Sequence, residues 1–117
     1  MDFETAKAVC RTFPGVVEDV KWGEVAVFSV GLKMFACSDR TVPAARISFK
    51  ADPERFLELT DRPGIIPAPY MARMGWVCAN QASALSDAEA AALLRRAHEL
   101  IFAKLSKKLQ KEIGESQ

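Results

Sequence analysis

Val25-Ala26-Val27-Phe28-Ser29-Val30-Gly31-Leu32-Lys33-Met34-Phe35-Ala36-Cys37-Ser38 decides the fold. Two runs rich in β-branched and aromatic residues flank a two-residue joint with glycine at its head, which is the composition of a β-hairpin. Glycine in the first central position suits a type II′ turn, so Gly31 is expected to have a positive φ. Further runs of the same texture lie on either side, roughly Val17 to Lys21 and Ala44 to Lys50, and the four together read as an antiparallel meander. In the last run Ala45, Ile47 and Phe49 alternate with Arg46, Ser48 and Lys50, as a sheet with one buried and one wet face requires. Helices are expected to cover the buried face.

The helices lie outside this meander. Before it, Asp2 can cap a helix whose apolar positions Phe3, Ala6, Val9, Cys10 and Phe13 recur at helical spacing, with Lys7 and Arg11 opposite and Pro14-Gly15 as the stop. After it, Asp52-Pro53-Glu54 combines a capping carboxylate, proline at the first helical position and a second acid near the positive end of the dipole. Phe56, Leu57 and Leu59 supply that helix's inner side, and Arg62-Pro63 ends it. Trp76 to Ala79 reads as a further strand. Ser86-Asp87-Ala88-Glu89 is a capping box opening one long helix, whose stripe is Leu94, Ala97, Ile101, Leu105 and Leu109. The expected class is α+β, an antiparallel sheet with helices packed on one face in the order α-β-β-β-β-α-β-α, all within a single domain over residues 1–117.

Composition removes several functional classes. Sixteen Lys plus Arg against fifteen Asp plus Glu leave a formal charge of +1, so attraction to nucleic acid or membrane has to come from a local patch. A chain that is 50% hydrophobic should form a packed core rather than stay disordered. Cys10, Cys37 and Cys78 are too widely spaced for C-x-x-C chemistry and read as small buried hydrophobes in a reducing compartment. Asp2 and Glu4 stand where a signal peptide needs basic residues, and no apolar run is long enough to span a bilayer, so a cytoplasmic protein is expected. His98 is the only histidine, which leaves no catalytic triad or two-histidine metal site within one chain, and it reads as a partly solvated helical residue. The dispersed glycines form no phosphate-binding loop. No catalytic residue, cofactor or metal is expected, and the chain does not read as an enzyme.

Two features are candidates for binding. Lys104, Lys107, Lys108 and Lys111 follow i, i+3, i+4, i+7 spacing and share one face of the last helix, making a basic stripe that could hold phosphates. Lysines near a helix C-terminus are also favoured by the macrodipole alone. The second feature is Pro63-Gly64-Ile65-Ile66-Pro67-Ala68-Pro69-Tyr70-Met71, in which three prolines fix φ and remove donors. Such a segment cannot join a central strand and is expected to be a rigid crossing loop that presents Tyr70 and positions Trp76.

Four landmarks in order resemble the MmcQ/YjbR-like family: Pro14-Gly15 with Glu18 and Trp22-Gly23; Val30 to Ala36; Asp52-Pro53-Glu54; and Pro63-Gly64-Ile65 with Pro67 to Met71 and Trp76-Val77. The resemblance spans nearly the whole chain. It implies a CyaY-like, or frataxin-like, fold and membership of a group described as DNA-binding proteins with a double-wing motif. Family members often carry Asn and His where Ala72 and Gly75 stand here, so chemistry performed by those polar groups elsewhere is not expected in this chain. Frataxin-like iron binding would need an acidic first helix, and Lys7 and Arg11 offset Asp2 and Glu4. DNA is therefore the expected partner, with phosphate contacts at Arg46 and Lys50 on the wet sheet face or at Lys104, Lys107, Lys108 and Lys111. The alternative is a protein or small-ligand surface formed by Tyr70, Met71, Arg73 and Met74 on the rigid segment.

Overall fold

A computed structural model describes residues 2–21, 24–39, 47–69 and 71–115. Along the chain, α1 (Phe3–Cys10) precedes β1 (Val16–Lys21), β2 (Val25–Val30), β3 (Lys33–Asp39) and β4 (Ile47–Lys50). A 3₁₀ turn at Pro53–Arg55 leads into α2 (Phe56–Thr60), followed by β5 (Ile65–Pro67), β6 (Trp76–Ala79), α3 (Asp87–Phe102) and α4 (Lys107–Glu115). The strands form one sheet in the order β1-β2-β3-β4-β6-β5, every neighbouring pair antiparallel. The expected α+β architecture is present, with two refinements. Ile65–Pro67 of the proline segment is a short edge strand, where a proline's missing donor costs no ladder bond. The long last helix is two helices.

Helices cover one face of the sheet. Phe28, Phe35, Phe49, Leu59 and Leu94, all fully buried, lie in the core between them. Phe35 reaches that core through a bulge: Phe28 pairs with Ala36 but Ser29 with Met34, leaving Phe35 as the extra residue. Phe35 and its neighbour Ala36 thus both enter the helix-side core, while Met34 and Cys37 pack on the other side.

The opposite face is drier than the alternation in the fourth strand suggested. Val27, Cys37, Ala68, Trp76 and Cys78 are buried there, with Met34, Ile66 and Met71 packed around them. The stiff segment after β5 places Ala68 and Met71 in this cluster, and the Ala68 N–H donates to the Trp76 carbonyl. All three cysteines are buried free thiols. Burial and then the Glu18 carboxylate push Cys10 up to about 12, so it stays an uncharged thiol in the core, as its reading as a small hydrophobe requires.

The helix ends follow the sequence signals only in part. Asp2 Oδ1 accepts from the Thr5 N–H at 2.8 Å, capping α1. Ser86 Oγ accepts from the Glu89 N–H at 3.1 Å, but the Glu89 carboxylate pairs with Arg62 at 2.6 Å instead of completing the box. Asp52 makes no cap bond either. Its carboxylate takes a two-pronged contact from Arg96, with Nε at 2.9 Å and Nη2 at 3.0 Å, joining the start of the 3₁₀ turn to α3. A charged side chain 44 residues away outbids the local cap because the guanidinium offers two charge-assisted bonds.

The break between α3 and α4 is built from two side chains. Ser106 Oγ accepts from the Leu109 N–H at 3.2 Å, which starts α4. Gln110 Nε2 donates back to the carbonyls of Phe102 at 3.1 Å and Leu105 at 3.0 Å, satisfying acceptors at the end of α3 and in the turn after it. A straight helix from Asp87 to Glu115 would run roughly 43 Å at about 1.5 Å per residue, past the protein's longest dimension of 40 Å. The corner instead returns Leu105, Leu109 and Ile113 to the core.

Those three residues rest on two glycine turns. A Cβ on Gly31 would lie 2.7 Å from Leu105 Cδ1 and 2.9 Å from Leu109 Cδ2, and one on Gly15 would lie 2.7 Å from Ile113 Cγ2. The Gly31 turn is type I′ rather than II′: φ is +56° at Gly31 and +69° at Leu32. Type I′ matches the right-handed twist of the flanking strands. Leu32 adopts this unfavourable conformation with its side chain fully exposed, 101% relative accessibility, and so meets no packing obstacle.

Adjacent residues with similar φ should therefore respond oppositely. Gly31→Ala is expected to destabilise by roughly 1–2 kcal/mol, from backbone strain and pressure on Leu105. Leu32→Asn should stabilise by about 0.5–1 kcal/mol, because Asn tolerates the left-handed region. Urea unfolding midpoints measure both, and equal signs would contradict the turn geometry. A second expectation concerns Glu58, which Arg55 at 3.0 Å and Arg62 at 2.8 Å hold down to about 2 from its ordinary 4.5. With a depressed folded value, this pairing contributes fully above pH 4.5 and is lost as pH falls towards 2. A carboxyl-carbon NMR titration should place the Glu58 midpoint near the lower value; a midpoint near 4.5 would show that the pair does not form.

Candidate nucleic-acid interface

The corner between α3 and α4 changes what the lysine stripe is. Lys104 lies in the connecting turn, before the Ser106 cap, so it is not on the helix with the others. Lys107, Lys108 and Lys111 are on α4 and keep their common face, opposite Leu109 and Ile113. The dipole argument reverses sign: Lys107 and Lys108 occupy the first turn of α4, which holds no acidic residue. Cations at a helix N-terminus are disfavoured by about 0.3–1 kcal/mol each. Among the described residues Lys104, Lys107 and Lys108 have no acidic partner. Positive charge is thus concentrated where no described acidic residue pairs with it.

Lys50 adds to this corner. It is half-buried at the end of β4, and its ammonium donates to the Met74 carbonyl. Burial first, and the Lys104 ammonium second, hold it below the usual lysine value. The sheet-end lysine and the turn lysine, far apart in sequence, are thus close enough in space to repel each other. Arg46, the other basic residue expected on that strand, lies outside the described residues.

The rigid segment is arranged differently from the surface expected of it. Met71 is half-buried and packs into the cluster around Trp76, which is itself only 4% exposed. Arg73 and Met74 are exposed within a single 3₁₀ turn, Ala72–Met74. Tyr70 lies outside the described residues.

One histidine and one cleft escaped the sequence reading. His98 is buried, not partly solvated: its Nε2–H donates to the Pro14 carbonyl at 2.8 Å. Its ring sits among Phe13 and Phe35, each with centroids 5.4 Å away, and Phe102 at 6.0 Å. Beside it a cleft of about 370 Å³ opens between the end of α1, α3 and the C-terminal end of α4. The Pro14-Gly15 stop and the last-helix stripe were each legible, but their meeting depends on the α3–α4 corner. The described residues assemble no group of three or more His, Cys, Asp or Glu able to hold a metal, and include no helix long and apolar enough to cross a membrane. Glu18, part of the first landmark, is committed to Arg11 at 2.8 Å and Lys7 at 3.6 Å, which together hold its carboxyl below the ordinary range.

Comparison with known proteins places this architecture. No curated protein matches the chain. The crystal structure of a Deinococcus radiodurans protein with the family-model domain DUF419 superposes with a TM-score of 0.85 and 28% identity, over 97% of this chain and 88% of that one. A Pseudomonas syringae protein solved as a structural-genomics target superposes with a TM-score of 0.71 and 21% identity, over 86% of this chain and 99% of that one, a likeness of fold. The YjbR family model matches residues 11–100, a span that holds the whole sheet and most of α3, and the chain belongs to the YjbR family.

Proposed function

We propose that this YjbR-family protein is a non-enzymatic DNA-binding domain that grips the phosphate backbone at the α3–α4 corner. The observation that carries the reading is the cluster of Lys104, Lys107 and Lys108, without an acidic partner among the described residues and partly set against the positive end of α4. A phosphate at this position would meet three ammonium groups and the open N–H groups of a helix start. Lys50 extends the charge towards the sheet. The hairpin tip stands beside the same corner, Gly31 against Leu105 and Leu109, so a turn and a helix start would approach a duplex together. Such contacts position a protein on DNA without reading bases, and binding by them is largely independent of sequence. The formal charge of +1 makes a local cluster the natural source of any such affinity.

The alternative partner surface on the proline segment has less behind it, because Met71 turns into the core and Lys50 covers the Met74 carbonyl. DNA binding is tested by fluorescence anisotropy with duplexes of two unrelated sequences across a salt series. Both should bind at low salt with similar affinity, and log K should fall linearly with log salt. Combining Lys104→Gln, Lys107→Gln and Lys108→Gln should lower the slope by about 0.9 for each phosphate contact removed. Absence of binding at low salt, or an unchanged slope in the triple variant, would overturn the proposal.

A further inference from the structure

The cleft at the far end of α4 combines features that the DNA-binding reading does not use. Its volume of about 370 Å³ is within the range of small-molecule sites. Phe13, His98 and Phe102 line it with aromatic surface, and the His98 and Phe102 rings are nearly parallel, 18° apart. Flat apolar surfaces of this kind favour a planar ring.

Two polar groups give the cleft a chemical direction. Arg95 lines it, is exposed, and has no acidic partner among the described residues. The acid one turn further along α3, Glu99, inclines to Arg96 at 3.5 Å rather than to Arg95. The other group is His98, 6% exposed. With Nε2–H committed to Pro14, Nδ1 of the neutral ring is left as an acceptor. The cleft therefore offers aromatic surface, an exposed guanidinium and the imidazole of the largely buried His98.

We infer that this cleft binds a small aromatic carboxylate, its ring against the Phe13, His98 and Phe102 side chains that line the cleft, its carboxylate on Arg95 and a ring hydroxyl within reach of the His98 imidazole. Arg95 selects the anion because a guanidinium can donate two parallel bonds to a carboxylate. Glu99 disfavours a second negative charge, which restricts the class to monoanions. The site lies at the C-terminal end of α4, away from the lysines in its first turn, and does not depend on DNA binding.

The test is amide NMR titration of the intact protein with 4-hydroxyphenylacetate, and with 4-hydroxyphenylacetamide as its neutral counterpart. Saturable shifts are expected at Thr12, His98, Phe102 and Gly114. The amide should bind about tenfold more weakly, and Arg95→Gln should weaken the carboxylate by about the same factor, as loss of a charge-assisted bond implies. Arg95 is exposed, so the variant should keep its fold, and its unperturbed spectrum checks this. No saturable shift at millimolar ligand, shifts confined to another surface, or equal affinity for acid and amide in both proteins would each overturn the assignment.

Discussion

Everything about α4 depends on three aliphatic side chains pressing onto two glycine turns. Leu105 and Leu109 occupy the space a Cβ would take at Gly31, and Ile113 the space it would take at Gly15. These contacts tie α4 to both ends of the β1–β2 region: the loop that enters β1 and the hairpin that leaves β2. A continuous last helix could not make them, because its axis would run past the sheet. The Ser106 cap and the Gln110 side chain reduce the cost of interrupting it by satisfying backbone groups on both sides of the corner.

The same packing sets the electrostatics. Turning the chain at 103–106 converts lysines that would have sat comfortably late in a long helix into cations at the start of a new one. It also brings Lys104 close enough to Lys50 to depress it. At its other end α4 closes one wall of the cleft beside His98. One structural decision therefore generates both surfaces on which function is proposed, and separates them along a single helix.

Much of this fold could be read from residues alone, because the signals were local. The hairpin at Gly31, the strands from Val25 to Ser38 and Trp76 to Ala79, and the caps at Asp2 and Ser86 all act within a few positions. What escaped was set by distant partners. Asp52 has the sequence of a cap, but Arg96 takes its carboxylate. Trp76 and Met71 build a second apolar cluster whose other members are scattered over four strands and a turn. His98 looked solvated because Glu99 follows it in the helix, whereas its neighbours in space are phenylalanines. Ser106 caps α4, but the leucine periodicity that runs across it reads as one helix. The basic stripe was thus identified by composition and misjudged in geometry.

Phosphate gripping at the α3–α4 corner is the claim with the widest consequence, and amide chemical-shift mapping during titration with a short duplex at low salt examines it most directly. Contact at this corner predicts shifts concentrated on Lys50, Gly31 and residues 104–108. Shifts concentrated instead on the exposed β1 edge from Val16 to Lys21, or none at all, would contradict it.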